Sequence, residues 1–105
     1  MKKRSLVGSV SFYNSEMRLD VFLKTSRLIK SRSVAQEFCD AGMVEINGSS
    51  AKSSKEVKAG DKLTIRRRNR VSEYSIESIP AQKQIPKEKA PELYRILSET
   101  PIAEL

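Results

Sequence analysis

Arg18, Arg27, Lys30 and Arg32 stand at the ends of two short helical patterns or between them. The first turn of the second pattern also offers free backbone N–H groups and the positive end of a helix dipole. Cations beside such donors make a phosphate-binding corner. Other chemistry has little to work with. The chain holds no His and one Cys, so pairs that need a His base, a zinc site and an internal disulfide are all excluded. Cys39 falls within an apolar helical stripe and reads as a buried, reduced thiol. Asp20, Asp40 and Asp61 are isolated acids, which suit capping and turns better than catalysis. No enzyme activity, metal or cofactor is expected.

A second set of cations, Arg66, Arg67, Arg68 and Arg70, lies at a strand end. Strand alternation sends neighbours to opposite faces, so all four cannot join one surface. A charged edge that discourages strand-to-strand aggregation explains the cluster as well as binding does. Lys52 and Lys55 extend the first corner in chain order.

The elements that must position these groups follow from apolar spacing. Leu19, Phe22 and Leu23 recur at i, i+3 and i+4, which predicts a short helix ending at Thr25 and Ser26. Leu28 and Ile29 can then turn back into the core. Ser31 is the expected N-cap of a second helix, whose apolar side is Val34, Ala35, Phe38, Cys39 and Ala41 and whose stop is Gly42. Strand signals follow. Val44 and Ile46 alternate before Asn47-Gly48, a strong hairpin signal, and "SSAK" returns as a short polar strand. Residues 53–61 read as a loop anchored by Val57 and turned at Gly60-Asp61. "KLTIRR" alternates with Leu63 and Ile65 inward and Lys62, Thr64 and Arg66 outward; "SEYSIES" places Tyr74 and Ile76 inward. Pro80, Pro86 and Pro91 mark a linker, with Pro91 opening a final helix carrying Leu93, Ile96 and Leu97.

The expected fold is therefore one α+β domain, short helices followed by a small antiparallel sheet, with a C-terminal helix. Its expected divisions are a flexible extension over 1–16, the domain proper over 17–79, and a linker and helix over 80–105. At 105 residues and 38% hydrophobic content, the chain supports one modest core, which favours a binding module over a deep catalytic cleft.

The net charge is +7. Residues 17–79 hold thirteen basic and eight acidic side chains, residues 1–16 three and one, and residues 80–105 four of each. The surplus thus belongs to the folded part and the arm, as expected for a polyanionic partner. With three Phe, three Tyr and no Trp, few aromatics remain to stack on unpaired bases. Structured RNA, met through backbone and shape, fits better. No stretch has the roughly 18 apolar residues of a membrane span. The start "MKKRSLVGSVSFYNSE" has its apolar run broken by Gly8, Ser9 and Ser11 and lacks a small-residue cleavage site, so a cytoplasmic location is expected.

"RLDVFL", the later "SR" and "AG", "V-ING", "AK" and "V-AGD-LTI" resemble the S-four RNA-binding domain, or alpha-L motif, over residues 17–67. Within it, "MRLDVFLKTSRLIKSRSVAQE" and the tail "PELYRILSE" are similar to the RqcP (YabO) family of ribosome quality control factors, relatives of the small ribosome-associated heat-shock protein. The resemblance implies a non-catalytic factor that binds the large ribosomal subunit still carrying peptidyl-tRNA after a stalled ribosome splits. It implies contact with 23S rRNA and tRNA, and support of RqcH during alanine tailing. The alternative is heat-shock-type recycling or ribosome assembly. Off the ribosome, a monomer is expected.

Carried over by position, the RNA-facing residues are Arg18, Arg27, Lys30 and Arg32. Asp20 would orient Arg18, and Asn47 and Lys52 lie near the same surface. Ser31 and Gln36 stand where close relatives carry basic residues, which lowers the charge of that face. The family pattern begins at Met17, so residues 1–16 are expected to be an added extension or a misplaced start. Arg32→Ala is expected to weaken ribosome binding more than Arg67→Ala.

Overall fold

The computed structural model of the chain describes residues 16–82 and 84–102. The extension expected over 1–16 falls outside these apart from Glu16. That residue opens a strand, β1 (Glu16–Arg18), and the helix α1 (Leu19–Thr25) follows directly. Leu19, Phe22 and Leu23 are fully buried, as their spacing predicts. The helix α2 (Arg32–Asp40) starts at Ser31, whose hydroxyl accepts the Val34 N–H at 3.2 Å. It stops before Gly42, which takes a left-handed φ of 76°. Ala35 and Cys39 are its buried residues, with Val34 and Phe38 packed partly against the core. Burial, with Asp20 and Asp40 nearby, pushes the Cys39 thiol up to about 11, so it stays protonated at neutral pH.

Six further strands follow among the described residues: β2 (Val44–Ile46), β3 (Ser49–Ser50), β4 (Glu56–Lys58), β5 (Lys62–Arg66), β6 (Arg70–Ile76) and β7 (Tyr94–Pro101). β1 and β4 form a two-stranded antiparallel clasp with Met17 opposite Val57. The others form one antiparallel sheet in the order β3-β2-β5-β6-β7. Asn47 and Gly48 adopt φ of 54° and 88°, the left-handed pair that a two-residue hairpin between β2 and β3 requires. Val44, Ile46, Leu63, Ile65, Tyr74 and Ile76 turn one sheet face onto α1 and α2, and this is the core.

The class is α+β, with helices leading into a small antiparallel sheet. Four details differ from the sequence expectations. Ala41, expected on the apolar side of α2, is its exposed C-cap residue. Val57 lies in a strand rather than a loop, because β1 supplies it with a partner. Thr64 is buried although it points away from Leu63 and Ile65; it sits between Glu45 and Glu73 in register, and their longer side chains flank it. The largest difference is the C-terminal segment. Pro91 lies within a 3-10 turn over Lys87–Leu93, and the α-helix expected to carry Ile96 and Leu97 is instead the eight-residue strand β7.

The reason is long-range. Leu93, Ile96 and Leu97 fit a helical period, but a helix this short is marginal alone. As a strand the segment completes a ladder with all seven residues of β6, and Tyr94 meets Tyr74 edge-to-face at 5.4 Å. An irregularity opposite Glu73 and Tyr74 leaves Leu97 as the extra residue, and Ile96 and Leu97 remain 55% and 45% exposed.

Candidate nucleic-acid interface

The clasp of β1 and β4 fixes where α1 begins. Arg18 precedes the helix without a side-chain cap, and the first N–H groups are met from across the clasp. Leu19 N–H donates to the Lys55 carbonyl at 2.7 Å and Asp20 N–H to the Ser53 carbonyl at 3.1 Å. This holds Asp20, in the first turn, wholly inside the protein.

Four donors converge on its carboxylate. Arg18 Nε donates to Oδ1 at 3.2 Å, while Arg18 Nη2 donates to Oδ2 at 3.1 Å. Arg32 Nε and Gln36 Nε2 donate to the same Oδ2 at 3.2 and 2.9 Å. Gln36 follows Arg32 by one turn of α2, so both reach one point. Burial alone would raise the Asp20 pKa, but the bonds from Arg18, Gln36 and Arg32 outweigh it and hold the carboxyl below its ordinary value of 3.8. The Arg18 and Arg32 side chains remain 43% and 49% exposed. A single buried anion thus fixes two half-exposed guanidinium groups and leaves the pair a net positive charge. Gln36 gives Asp20 a neutral donor instead of a third cation.

Arg27 and Lys30 lie on the connection between the helices. Arg27 adopts a left-handed φ of 64°, and its N–H returns to the Lys24 carbonyl at 3.1 Å. Ile29, buried, donates its N–H to the Leu23 carbonyl at 3.1 Å and anchors the connection. Arg27 and Lys30 line a cleft of about 360 Å³ with Lys24, and Gln84 and Ile85 close its far side. Lys24 is a member that the sequence reading does not single out. The signal was its i+3 spacing to Arg27.

Lys52 and Asn47 form a third locality. Lys52 is exposed and shares a shallow cleft with Asn47, Ser49 and Lys55. The carbonyls of Ser53 and Lys55, on the same loop, are those that meet the start of α1. Asn47 has its amide engaged within the fold. It donates to Asp61 Oδ1 at 3.1 Å and accepts the Lys62 N–H at 2.9 Å, while Asp61 Oδ2 accepts the Lys58 N–H at 3.0 Å. The structure therefore joins Arg18, Asp20 and Arg32 at one point, groups Arg27 and Lys30 with Lys24 at a second, and sets Lys52 beside a structural Asn47 at a third.

Sequence reasoning separated Arg67 from all of these. It is half-buried, and its guanidinium donates to the Leu28 carbonyl at 3.3 Å, Ser72 Oγ at 3.2 Å and Tyr74 Oη at 3.4 Å. Arg67 thereby ties the helix connection to the sheet. A separation of 39 residues from Leu28 leaves no local trace of this in the sequence.

The family model of the S4 domain matches residues 17–63, the span that contains the Asp20 cluster, the helix connection and the Asn47 hairpin. The chain is 43% identical over 88 residues to the RQC P-site tRNA stabilizing factor of Bacillus subtilis, covering 84% of this chain and 100% of that protein. The protein of the same name from Helicobacter pylori is 46% identical over 71 residues, covering 68% of this chain and 84% of its own. Among solved structures, the trimeric heat shock protein 15 of Vibrio cholerae superposes with a TM-score of 0.70 at 36% identity, covering 79% of this chain and 83% of that one. With an S4 domain at its core and 43% identity that spans the whole of the Bacillus subtilis protein, this chain belongs to the family of RQC P-site tRNA stabilizing factors.

Proposed function

We propose that this protein is a non-catalytic RNA-binding factor of bacterial ribosome quality control. It binds 23S rRNA and peptidyl-tRNA on obstructed large ribosomal subunits, steadies the tRNA there, and supports alanine tailing by RqcH. It acts in the cytoplasm and is a monomer away from the ribosome. The observation that carries this reading is the buried Asp20 carboxylate, which presets Arg18 and Arg32 as a fixed cationic pair at the start of both helices. A preset fork meets a phosphate edge with less ordering of long side chains than two free arginines would need. Arg27, Lys30 and Lys52 add contacts around it. The names of the relatives support a tRNA contact and the quality-control pathway.

The test is co-sedimentation with large subunits that carry peptidyl-tRNA and with empty ones. Preferred binding to the loaded subunits is expected; equal binding to both, or none, overturns the role. Likeness to heat shock protein 15 supports recycling as a second reading. Deleting the gene separates the two, since only the quality-control role predicts that alanine tails disappear from stalled chains.

A further inference from the structure

We infer that the turn joining β5 to β6, with Arg68 and Arg70, is a second RNA-contacting surface, continuous with the helix connection and engaging backbone phosphates. The inference rests on the RNA-binding reading above and extends it beyond residues 17–63, the span the S4 domain matches.

Three observations carry it. First, this turn has no role as a guard against aggregation. β5 and β6 are interior strands, flanked by β2 and β7, so their charged ends protect no open edge. Second, the turn is held by hydrogen bonds and set beside the helix connection. Arg67 N–H donates to the Arg70 carbonyl at 2.8 Å, Ile102 N–H donates to the Asn69 carbonyl at 3.0 Å, and Arg67 Nη2 reaches the Leu28 carbonyl, next in sequence to Arg27. Third, its positive charge is not neutralised. Arg66 pairs with Glu45 at 3.0 Å, but Arg67 meets only neutral acceptors, and Arg68 and Arg70 have no ion pair among the described residues. Arg70 is half-buried and its Nε is buried without a hydrogen-bond partner. A cation left in that state is costly unless an anion lies near. The phosphodiester backbone of an RNA crossing the helix connection supplies one. An acidic protein surface could also meet these charges, but the RNA already assigned to the adjoining connection favours a continuing phosphate backbone.

The experiment measures binding to large ribosomal subunits, with and without peptidyl-tRNA, across a salt series. It compares the unaltered protein with Arg68→Gln, Arg68→Gln/Arg70→Gln, Arg32→Gln, and a control, Lys87→Gln/Lys89→Gln. The control pair lies on the 3-10 turn, at the opposite end of the β6–β7 ladder. Arg68 is exposed and unpaired, so its replacement leaves folding intact and decides the matter even if the double variant does not fold. Arg68→Gln is expected to lower the slope of log affinity against log salt by about one, and the double variant by about two, with roughly tenfold weaker binding near physiological salt. The control should change neither. A reduced slope on both kinds of subunit assigns the phosphates to rRNA, and a reduced slope on loaded subunits alone assigns them to tRNA; each supports the surface. Unchanged slopes for the turn variants beside a weakened Arg32→Gln overturn this surface while sparing the proposed function. Equal losses in the control overturn it too, as bulk charge. No binding by the unaltered protein overturns both.

Discussion

At the scale of single residues, Asp20 governs the site because, among the described residues, it is the one anion that both helices address. Replacing it with Ala removes four hydrogen bonds, three of them from charged donors, and leaves the Gln36 amide unmet. Bonds to charged groups contribute about 1.5–3 kcal/mol each when isolated, but the two guanidinium groups can turn to water, so a net loss of about 2–3 kcal/mol is expected. Urea unfolding measures it. Binding to large subunits should fall as well, because Arg18 and Arg32 lose their common anchor. The pH dependence has a definite sign. The folded-state pKa of Asp20 is depressed, so its stabilisation is complete above the ordinary value of 3.8 and is lost as pH falls below that toward the lower folded value. Asp61 is held low in the same way: burial opposes ionisation, and bonds from the Lys58 backbone and Asn47 prevail over it. Unfolding free energy should therefore drop steeply below about pH 4, and Asp20→Asn should flatten part of that drop. An unchanged acid slope in Asp20→Asn would show that Asp20 ionises normally in the folded state.

At the scale of elements, what could be read from the sequence was what local chemistry decides. Ser31 as a cap, Gly42 as a stop, and Asn47-Gly48 as a hairpin each depend on a few adjacent residues, and each is where expected. The Leu19, Phe22 and Leu23 spacing likewise made α1 legible. The strand β7 was not legible, since three apolar residues at helical spacing do not reveal that β6 waits with an unpaired edge. In the site, the pairing of Asp20 with Arg18 came through family resemblance, two residues apart. The convergence of Arg32 and Gln36 on the same oxygen, 12 and 16 residues away, needed the fold. Arg67 is the clearest case of a residue whose role changes. The sequence offered it as a weaker RNA contact than Arg32, whereas its three bonds make it a brace between the helix connection and the sheet. Arg67→Ala should accordingly cost about 1–2 kcal/mol of stability through its lost bonds and the unmet Leu28 carbonyl. A lower urea midpoint at constant m-value is the expected signature. No change in midpoint would return Arg67 to the surface.

At the scale of the whole molecule, the C-terminal residues belong to the domain instead of trailing from it. Gln84 and Ile85 border the cleft of Arg27 and Lys30, Leu93 is buried in the core, and β7 covers the full length of β6. One chain segment therefore touches the cationic connection, the core and the sheet. If it were a linker and a separate helix, β6 would be an edge strand, half its backbone groups would face water, and the Tyr74 ring would lose its partner Tyr94. Two measurements follow from this continuity. Leu93→Ala should destabilise the entire protein by about 2–3 kcal/mol, within the range for truncating a buried leucine, and not merely loosen a tail. Amide hydrogen exchange on the intact chain should find the β6 amides protected as strongly as those of β5, since both strands are paired on each side. Fast exchange along the outward-facing amides of β6, together with a neutral Leu93→Ala, would mean that β7 is not held on the sheet. In that event the Arg68 turn would lose the Ile102 bond to Asn69, but the Asp20 cluster would stand, because the side-chain bonds to its carboxylate lie between residues 18 and 36 and the backbone bonds that seat it come from Ser53 and Lys55, none of them in β7.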